Sequence, residues 1–568
     1  MNILGISCYY HDSAAVLIQD GKITAAIAEE RLTRKKHDNG FPKKAIAYCL
    51  DWANITIDRI DAVAFYEKPL VKFERVIAQH IDGFPRGAKA FRENIGSWFS
   101  QKMKIAETMR KECGYTGPIR YIPHHLSHAA SAFYLSGFSD ASIVTIDGVG
   151  EWATTTVGVG RGRTIQLQKE IRFPHSLGLL YSAITAYLGF EVNDAEYKVM
   201  GYAAYGDPHV YKSQFEKLIT LNNDGSFTLN MEYFTYTWSD RMYNTKLENL
   251  FGLPTRQKES GVQKEYAAIA AGLQKTLETA VIHLLTTVHK LHKKESLCLA
   301  GGVALNSVMN GKLLASTPFK KLYIPPDPGD AGGAMGAALH TYVSLAKQPV
   351  KKGFFPNLGP SYPPEQITDI LDTYRLSYEV CEDEAVLVEK TATYLADEKV
   401  IGWFQGRTEW GPRALGFRSI LASAGKAEMK ELINIKIKHR EIFRPFAPVI
   451  IDKYVHEYFH ADKKLSESAK YMLMVYPFTP IGIKRVPATV HVDGTGRLQV
   501  IHRTDNRLYY DLIEAFRKKT GTPVILNTSF NVRGEPIVCS PRDAVECFLR
   551  TDIDYLVINR YIVRKTHV

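Results

Sequence analysis

Cysteine is scarce in this chain: 568 residues carry seven, and no two form a Cys-x-x-Cys pair. That scarcity fits free thiols in a reducing compartment better than a disulfide framework. No uninterrupted apolar run is long enough to span a bilayer, so no membrane partner is expected. The opening Met1-Asn2-Ile3-Leu4-Gly5-Ile6 lacks a basic leader followed by an apolar core. It reads as a strand from its first residues, which makes the cytoplasm the expected compartment. Zinc-finger spacing and the aromatic signature of RNA-binding sheets are also missing, so no nucleic-acid partner is expected. The net charge of +11 then has two readings, a solvated basic surface or attraction toward anionic small molecules. With 45% hydrophobic and 23% charged residues the composition is that of a globular protein, and the length allows several domains.

The first thirty residues read as strand 2–7, polar turn 8–13, strand 14–19, the tight turn Asp20-Gly21, and strand 22–28. The pattern recurs around Asp147. An apolar, β-branched run at 142–146 leads into Asp147-Gly148-Val149-Gly150 and a second strand over 153–159. Two such hairpins suggest an internal duplication. A third segment follows: strand 297–300, then Gly301-Gly302, then a helix expected over 303–314, a layout that suits a nucleotide near a helix N-terminus. Residues 264–292 give the clearest helix, with Leu273, Leu277, Val281, Leu284, Val288 and Leu291 on one stripe and core packing as its role. Residues 66–120 read as helical and basic, and 208–260 as loop-rich and aromatic. Both are taken as insertions, fit for a substrate wall or the surface of a homodimer. Repeated prolines at 346–365 mark a linker, and strands at 400–404, 523–526 and 555–558 belong to a further α/β unit. The expected domains are therefore 1–345 and 366–568, joined by 346–365.

Four constellations carry chemistry. His124 and His128 lie four apart in Tyr-Ile-Pro-His-His-Leu-Ser-His, so one helical turn points both imidazoles the same way. Asp147 and Asp330 sit in glycine-flanked turns. Two imidazoles and two carboxylates suit iron, manganese or zinc better than magnesium. The alternative is a plain helix start with half-exposed histidines. His125 points elsewhere on that helix. The turn Tyr10-His11-Asp12-Ser13 offers a histidine base oriented by a carboxylate, or a turn whose Asp and Ser satisfy backbone N–H groups. Glu196-Tyr197-Lys198-Val199-Met200-Gly201 reads as a loop whose lysine holds a phosphate or is simply solvated. Lastly, Arg407, Arg413 and Arg418 crowd a glycine-rich loop, followed by Asn434, Lys438, Arg440 and Arg444. So many cations in loops repel one another unless an anion sits among them. His491, Asn527 and Ser529 add short polar side chains.

Taken together these stretches resemble the NodU/CmcH-type O-carbamoyltransferases, a family that includes antibiotic-tailoring, nebramycin-synthase-like enzymes. The match runs through Ile3–Ala14, Glu29-Glu30-Arg31 with Lys36-His37, 124–128, Ile146-Asp147-Gly148, Lys198–Gly201, Ala300–Asn306 and Gly329-Asp330. In the C-terminal part it runs through Gly411–Gly416, Arg444–Pro448 and Leu526–Asn531. Two positions depart from the family pattern: Phe417, where an asparagine is expected, and Tyr197, where a glycine is.

The resemblance implies an α/β architecture: a duplicated actin-like ATPase domain of the threonylcarbamoyl-transferase type, then a C-terminal YrdC-like domain. It implies that the C-terminal domain joins carbamoyl phosphate and ATP (with Mg2+) into carbamoyl-adenylate. The N-terminal domain then passes the carbamoyl group to a hydroxyl of a small metabolite or sugar, beside a bound divalent metal, Fe2+ before Mn2+ or Zn2+. On this resemblance His124, His128, Asp147 and Asp330 hold the metal, and His11 with Asp12 is the base. Lys36, Lys198, Gly148, Gly301, Gly302, Asn306, Asn527 and Ser529 bind ATP or the adenylate. Arg407, Arg413, Arg418, Lys438, Arg440, Arg444 and His491 bind carbamoyl phosphate. Two rival expectations are a tRNA threonylcarbamoyl-transfer enzyme and a non-catalytic, nucleotide-switched actin-like scaffold.

Overall fold

The computed structural model describes residues 1–86, 102–258, 260–351, 353–441, 443–461 and 465–565. The chain forms two compact units. One comprises Met1–Glu29 and His37–Phe354, the other Glu30–Lys36 and Phe355–Val568. Nothing in the sequence pointed to the short Glu30–Lys36 segment joining the second unit. Two arginines hold it there: Arg31 Nη2 donates to Gly411 O at 2.9 Å, and Arg34 donates to Ile537 O at 2.6 Å and Pro536 O at 2.9 Å.

The first unit contains two five-stranded sheets of matching order. In the first, β1 (Asn2–Ser7), β2 (Ala14–Gln19) and β3 (Lys22–Ala28) run antiparallel, and β4 (Ala62–Phe65) and β5 (Ile119–Tyr121) add in parallel to give 3-2-1-4-5. In the second, β6 (Asp140–Ile146), β7 (Ala153–Arg161) and β8 (Thr164–Arg172) form the antiparallel part. A small hairpin, β9 (Ile219–Leu221) with β10 (Phe227–Leu229), intervenes before β11 (Ser296–Ala300) and β12 (Lys321–Tyr323) complete the same order in parallel. This doubled order is that of the actin-like ATPase fold. Strands β1 and β2 are apolar and buried almost throughout, as central strands must be. The outer β8 is mostly exposed.

Two helices bring the functional residues to the sheets. Helix His124–Leu135 packs on β6 and β11, and helix Asp330–Ala346 packs on β1, β2 and β4 and against the first helix. Their close crossing depends on Gly336, where an added Cβ would lie 1.7 Å from Ser127 O. Helix Lys264–His292 spans the expected range, and Leu273, Leu277, Val281, Leu284 and Val288 are buried, each worth about 1.5–3 kcal/mol. Leu291 is a correction: it is 51% exposed, because it lies in the last turn where the helix leaves the core. The helix expected from 303 is also corrected. Gly302–Leu305 forms a 3₁₀ turn, the backbone breaks at Asn306, and the helix proper is Ser307–Ser316. Of the basic stretch 66–120, residues 87–101 lie outside the described residues. No described helix is long and apolar enough to cross a membrane.

The second unit is an α/β fold on one nine-stranded mixed sheet, in keeping with a YrdC-like domain. In chain order its strands are β13 (Tyr378–Val380), β14 (Ile401–Phe404), β15 (Arg418–Ser423), β16 (Ala447–Ile451), β17 (Met474–Pro477), β18 (Thr495–Ile501), β19 (Val524–Ser529), β20 (Tyr555–Ile558) and β21 (Tyr561–Arg564). Across the sheet they run 13-21-20-14-15-19-16-18-17.

Candidate active site

His124 and His128 occupy the first and second turns of their helix, Asp147 follows β6 directly, and Asp330 opens the other helix. All four are buried, and one ligand atom from each lies within 4.8 Å of the others. His124 Nε2 is 2.8 Å from Asp147 Oδ2, 3.0 Å from His128 Nε2 and 3.6 Å from Asp330 Oδ1. His128 Nε2 is 3.6 Å from both carboxylates. Donors about 2.0–2.2 Å from one tetrahedral centre stand roughly 3.3–3.6 Å apart, so the spacing suits a cation. Two further observations agree with that fit. The Nε2 atoms of His124 and His128 face each other, which suits a shared positive partner. Asp330 Oδ2 is buried with no hydrogen-bond partner.

The electrostatics point the same way. Burial pulls the His128 imidazole down, but hydrogen bonds to Asp147 and Asp330 outweigh it and raise it to about 10. For Asp147, burial is outweighed by His124 and His128, which hold the carboxyl well below its usual range. Backbone groups fix the cluster's frame. Gly302 N donates to Asp147 Oδ1 at 2.9 Å, and Gly301 has φ +94°, with room for a Cβ denied by Ile146 O at 2.2 Å. His125 is set apart, its ring bridging Thr145 Oγ1 at 2.6 Å and Ala153 O at 2.8 Å.

His11 reaches toward this cluster, its Nε2 3.9 Å from Asp330 Oδ2, while its Nδ1 meets Asp12 Oδ2 at 3.0 Å. Burial would lower the His11 imidazole, but Asp330 and Asp12 outweigh it and raise it to about 9. That carboxylate field is what a cation would offset. Gly148 has no described atom within 4 Å of an added Cβ, so its turn is open. Asn306 is engaged: its side chain caps Met309 N at 2.9 Å and pairs with Gln274 through two hydrogen bonds, 2.9 and 3.1 Å long. Lys198 lies half-buried in a helix, Glu196–Tyr202, where a loop was expected.

The C-terminal arginines differ from expectation. Arg418 is wholly buried. Nη1 donates to Gln405 O and Phe417 O, Nη2 to Pro360 O and Gly406 O, and the guanidinium stacks on Phe404 at 3.5 Å. Arg407 donates to Gly359 O at 3.0 Å and to Leu358 O. The anion among them is the chain's own: Glu409 Oε1 accepts from the backbone N–H of Leu415, Phe417 and Arg418. Lys438 Nζ is held by Ser529 O at 2.6 Å, Asn531 O at 2.7 Å and Asn531 Oδ1 at 3.0 Å. Burial pushes its ammonium well below the usual range. Arg407, Arg418 and Lys438 therefore organise loops, with these donors directed at main-chain carbonyls. Asn527 likewise donates to Ala414 O at 3.1 Å and Gln499 Oε1 at 2.9 Å, and His491 Nδ1 meets Thr495 Oγ1 at 3.2 Å. Arg413, Arg440 and Arg444 stay half-buried, with Arg440 Nε on Asn434 Oδ1 at 2.7 Å and stacked over Phe446. Lys36 is half-buried in the same unit.

Residue type and spacing missed Glu409, and also Glu151, whose carboxylate accepts from His124 N at 2.9 Å and Lys68 N at 2.8 Å. The one available signal was an acid standing among the glycines of each turn.

Residues 2–339 match the family described as Carbamoyltransferase N-terminus, and residues 392–565 match Carbamoyltransferase C-terminus. The uncharacterized protein sll1178 of Synechocystis sp. is 44% identical over 602 residues, covering 100% of this chain and 97% of that protein. The nodulation protein NolNO of Sinorhizobium fredii is 38% identical over 566 residues, covering 98% of this chain and 79% of that protein. Among solved structures, the HypF of T. kodakarensis is similar at TM-score 0.33 and 14% identity, over 61% of this chain and 48% of that one. Both halves of one family match in order along the chain, and the protein belongs to the carbamoyltransferases.

Proposed function

We propose that this carbamoyltransferase is an ATP-dependent O-carbamoyltransferase working in two steps. In this reading a transfer domain spans 1–345 and an adenylate-forming domain 366–568. In the second domain, carbamoyl phosphate loses inorganic phosphate with uptake of one water. The carbamate oxygen then attacks the α-phosphorus of ATP and expels pyrophosphate. In the first domain a hydroxyl of a small metabolite or sugar attacks the carbamoyl carbon, and AMP leaves. The logic is electronic. A carbamoyl carbonyl is a weak electrophile and an alcohol a weak nucleophile, so the acyl group needs a good leaving group and the alcohol needs a base.

The observation that carries this reading is the convergence of His124, His128, Asp147 and Asp330 beside His11. Those four residues would hold a divalent cation, which supplies positive charge to phosphate oxygens when bound. His11 Nε2 takes the proton of the attacking hydroxyl, with Asp12 on Nδ1 orienting the ring. The open turn at Gly148 admits a phosphate, and Gly301-Gly302 keeps Asp147 in place. Arg413, Arg440, Arg444 and Lys36 hold the anionic groups of carbamoyl phosphate and ATP. The test is pyrophosphate release from labelled ATP with and without carbamoyl phosphate. Release that depends on both substrates is the expected result, and release indifferent to carbamoyl phosphate overturns the reading.

A further inference from the structure

We propose that His37, clamped between Asp12 and Asp194, is a positioning residue that fixes the carboxylate behind His11. The inference rests on the reading of His11 as the proton acceptor. His37 Nδ1 lies 2.8 Å from Asp12 Oδ1, and His37 Nε2 lies 2.9 Å from Asp194 Oδ1. The other oxygen of Asp12 serves His11 Nδ1 at 3.0 Å. The four side chains therefore form one chain, His11–Asp12–His37–Asp194, within the first unit.

Its chemistry follows from the partners. Ionised carboxylates only accept hydrogen bonds, so an imidazole with a carboxylate at each nitrogen carries a proton on both. His37 is then a cation set against Asp12. Burial pushes the Asp12 carboxyl up, yet hydrogen bonds from His11 and His37 outweigh it and hold it well below the usual range. Asp12 thus remains an anion with one oxygen for each ring, and it cannot rotate away from His11 without losing His37. With Nδ1 of His11 committed to Asp12, Nε2 is the atom that faces the tetrad.

The backbone supports the same conclusion. Asp12 has φ +54° and His37 φ +53°, and Asn193, beside Asp194, has φ +65°. A non-glycine residue in the left-handed region is uncommon, and aspartate and asparagine tolerate it better than histidine does. Such conformations persist where surrounding bonds over-determine them, as the side-chain bonds of Asp12 and His37 do here.

The test is nitrogen NMR of the full chain labelled with 15N-histidine, at neutral pH, with His37→Gln and His11→Gln used to identify the two rings. The expected spectrum shows both nitrogens of His37 protonated. In Asp194→Asn, His37 loses its double protonation and the His11 nitrogens shift, although Asp194 lies two links from His11. A His37 ring protonated on one nitrogen in the native chain overturns the proposal. So does an Asp194→Asn spectrum that leaves the His11 nitrogens unmoved. These spectra need neither ATP nor an acceptor, so they can fail while carbamoyl phosphate still drives pyrophosphate release, or hold while it does not.

Discussion

In the tetrad of the first unit, two imidazoles and two carboxylates turn their polar atoms inward onto one point. In the arginine loop of the second unit, Arg407 and Arg418 turn theirs toward main-chain carbonyls, and Glu409 gathers three amides of the loop. Both regions are dense in charge, yet only one leaves its charges facing a common space. The difference lies in the donors. An imidazole and a carboxylate have few polar atoms and fixed directions, so convergence of four of them is hard to satisfy by accident. A guanidinium has five donors, and a glycine-rich loop offers many bare carbonyls to absorb them.

Asp330→Asn gives the sharpest break of this comparison. It removes one of the two charges that the tetrad sets against a cation, and metal affinity is expected to fall on the order of 10³-fold, about 4 kcal/mol. Equilibrium dialysis with Zn2+ or Fe2+ measures it, and unchanged affinity dismantles the tetrad as a metal site. Next in size is Arg418→Met, which removes four hydrogen bonds to main-chain carbonyls and the stacking on Phe404 and costs on the order of 3 kcal/mol of unfolding stability. Arg413→Met is the contrast. Its KM for carbamoyl phosphate in pyrophosphate release rises about tenfold, for one charge-assisted bond lost. If Arg418→Met instead raises KM and keeps its stability, the two arginines have been assigned the wrong way round.

A smaller effect comes from pH in the second unit. Burial, with Arg497 and Lys430 nearby and Asp493 opposing, pushes the His491 imidazole from its ordinary 6.5 down to about 4. The folded chain keeps His491 neutral while the unfolded chain takes up a proton, so this contribution is complete above pH 6.5 and is lost as pH falls toward about 4. Between pH 6.5 and 5 it amounts to about 2 kcal/mol. Denaturant unfolding of His491→Gln beside the native chain isolates it, and equal slopes against pH would remove it.

The same contrast explains what could be read in advance. Strands β1 to β3 and the long helix Lys264–His292 were legible because their signals are local: alternation, an Asp-Gly turn, a 3.6-residue stripe. The tetrad was legible because its residue types are chemically narrow. Leu291 was misjudged because periodicity does not say where a helix leaves the core. The cap made by Asn306 was not legible because its side chain could equally meet a ribose or cap a helix, and its partner Gln274 lies on a distant helix. The loop bonds of Arg418 and Lys438 were not legible because counting cations ignores the carbonyls brought to them from far along the chain. The grouping of Glu30–Lys36 with the second unit has no local signal at all.

Glu151→Gln tests, with the smallest effect, whether the tetrad's order is self-made or borrowed. Glu151 caps the helix of the two histidines, accepting from His124 N with both oxygens at 2.9 and 3.2 Å and from Lys68 N with one. Glutamine keeps one accepting oxygen but removes the negative charge from the helix N-terminus, at a cost of about 1 kcal/mol. If His124 depends on that cap for its direction, metal affinity falls about tenfold, the low end for losing a residue that orients a ligand. About tenfold more metal should then restore full occupancy, where Asp330→Asn needs on the order of 10³-fold more. An affinity equal to the native chain's would mean that the four ligands hold their positions without help, unlike the loop around Glu409.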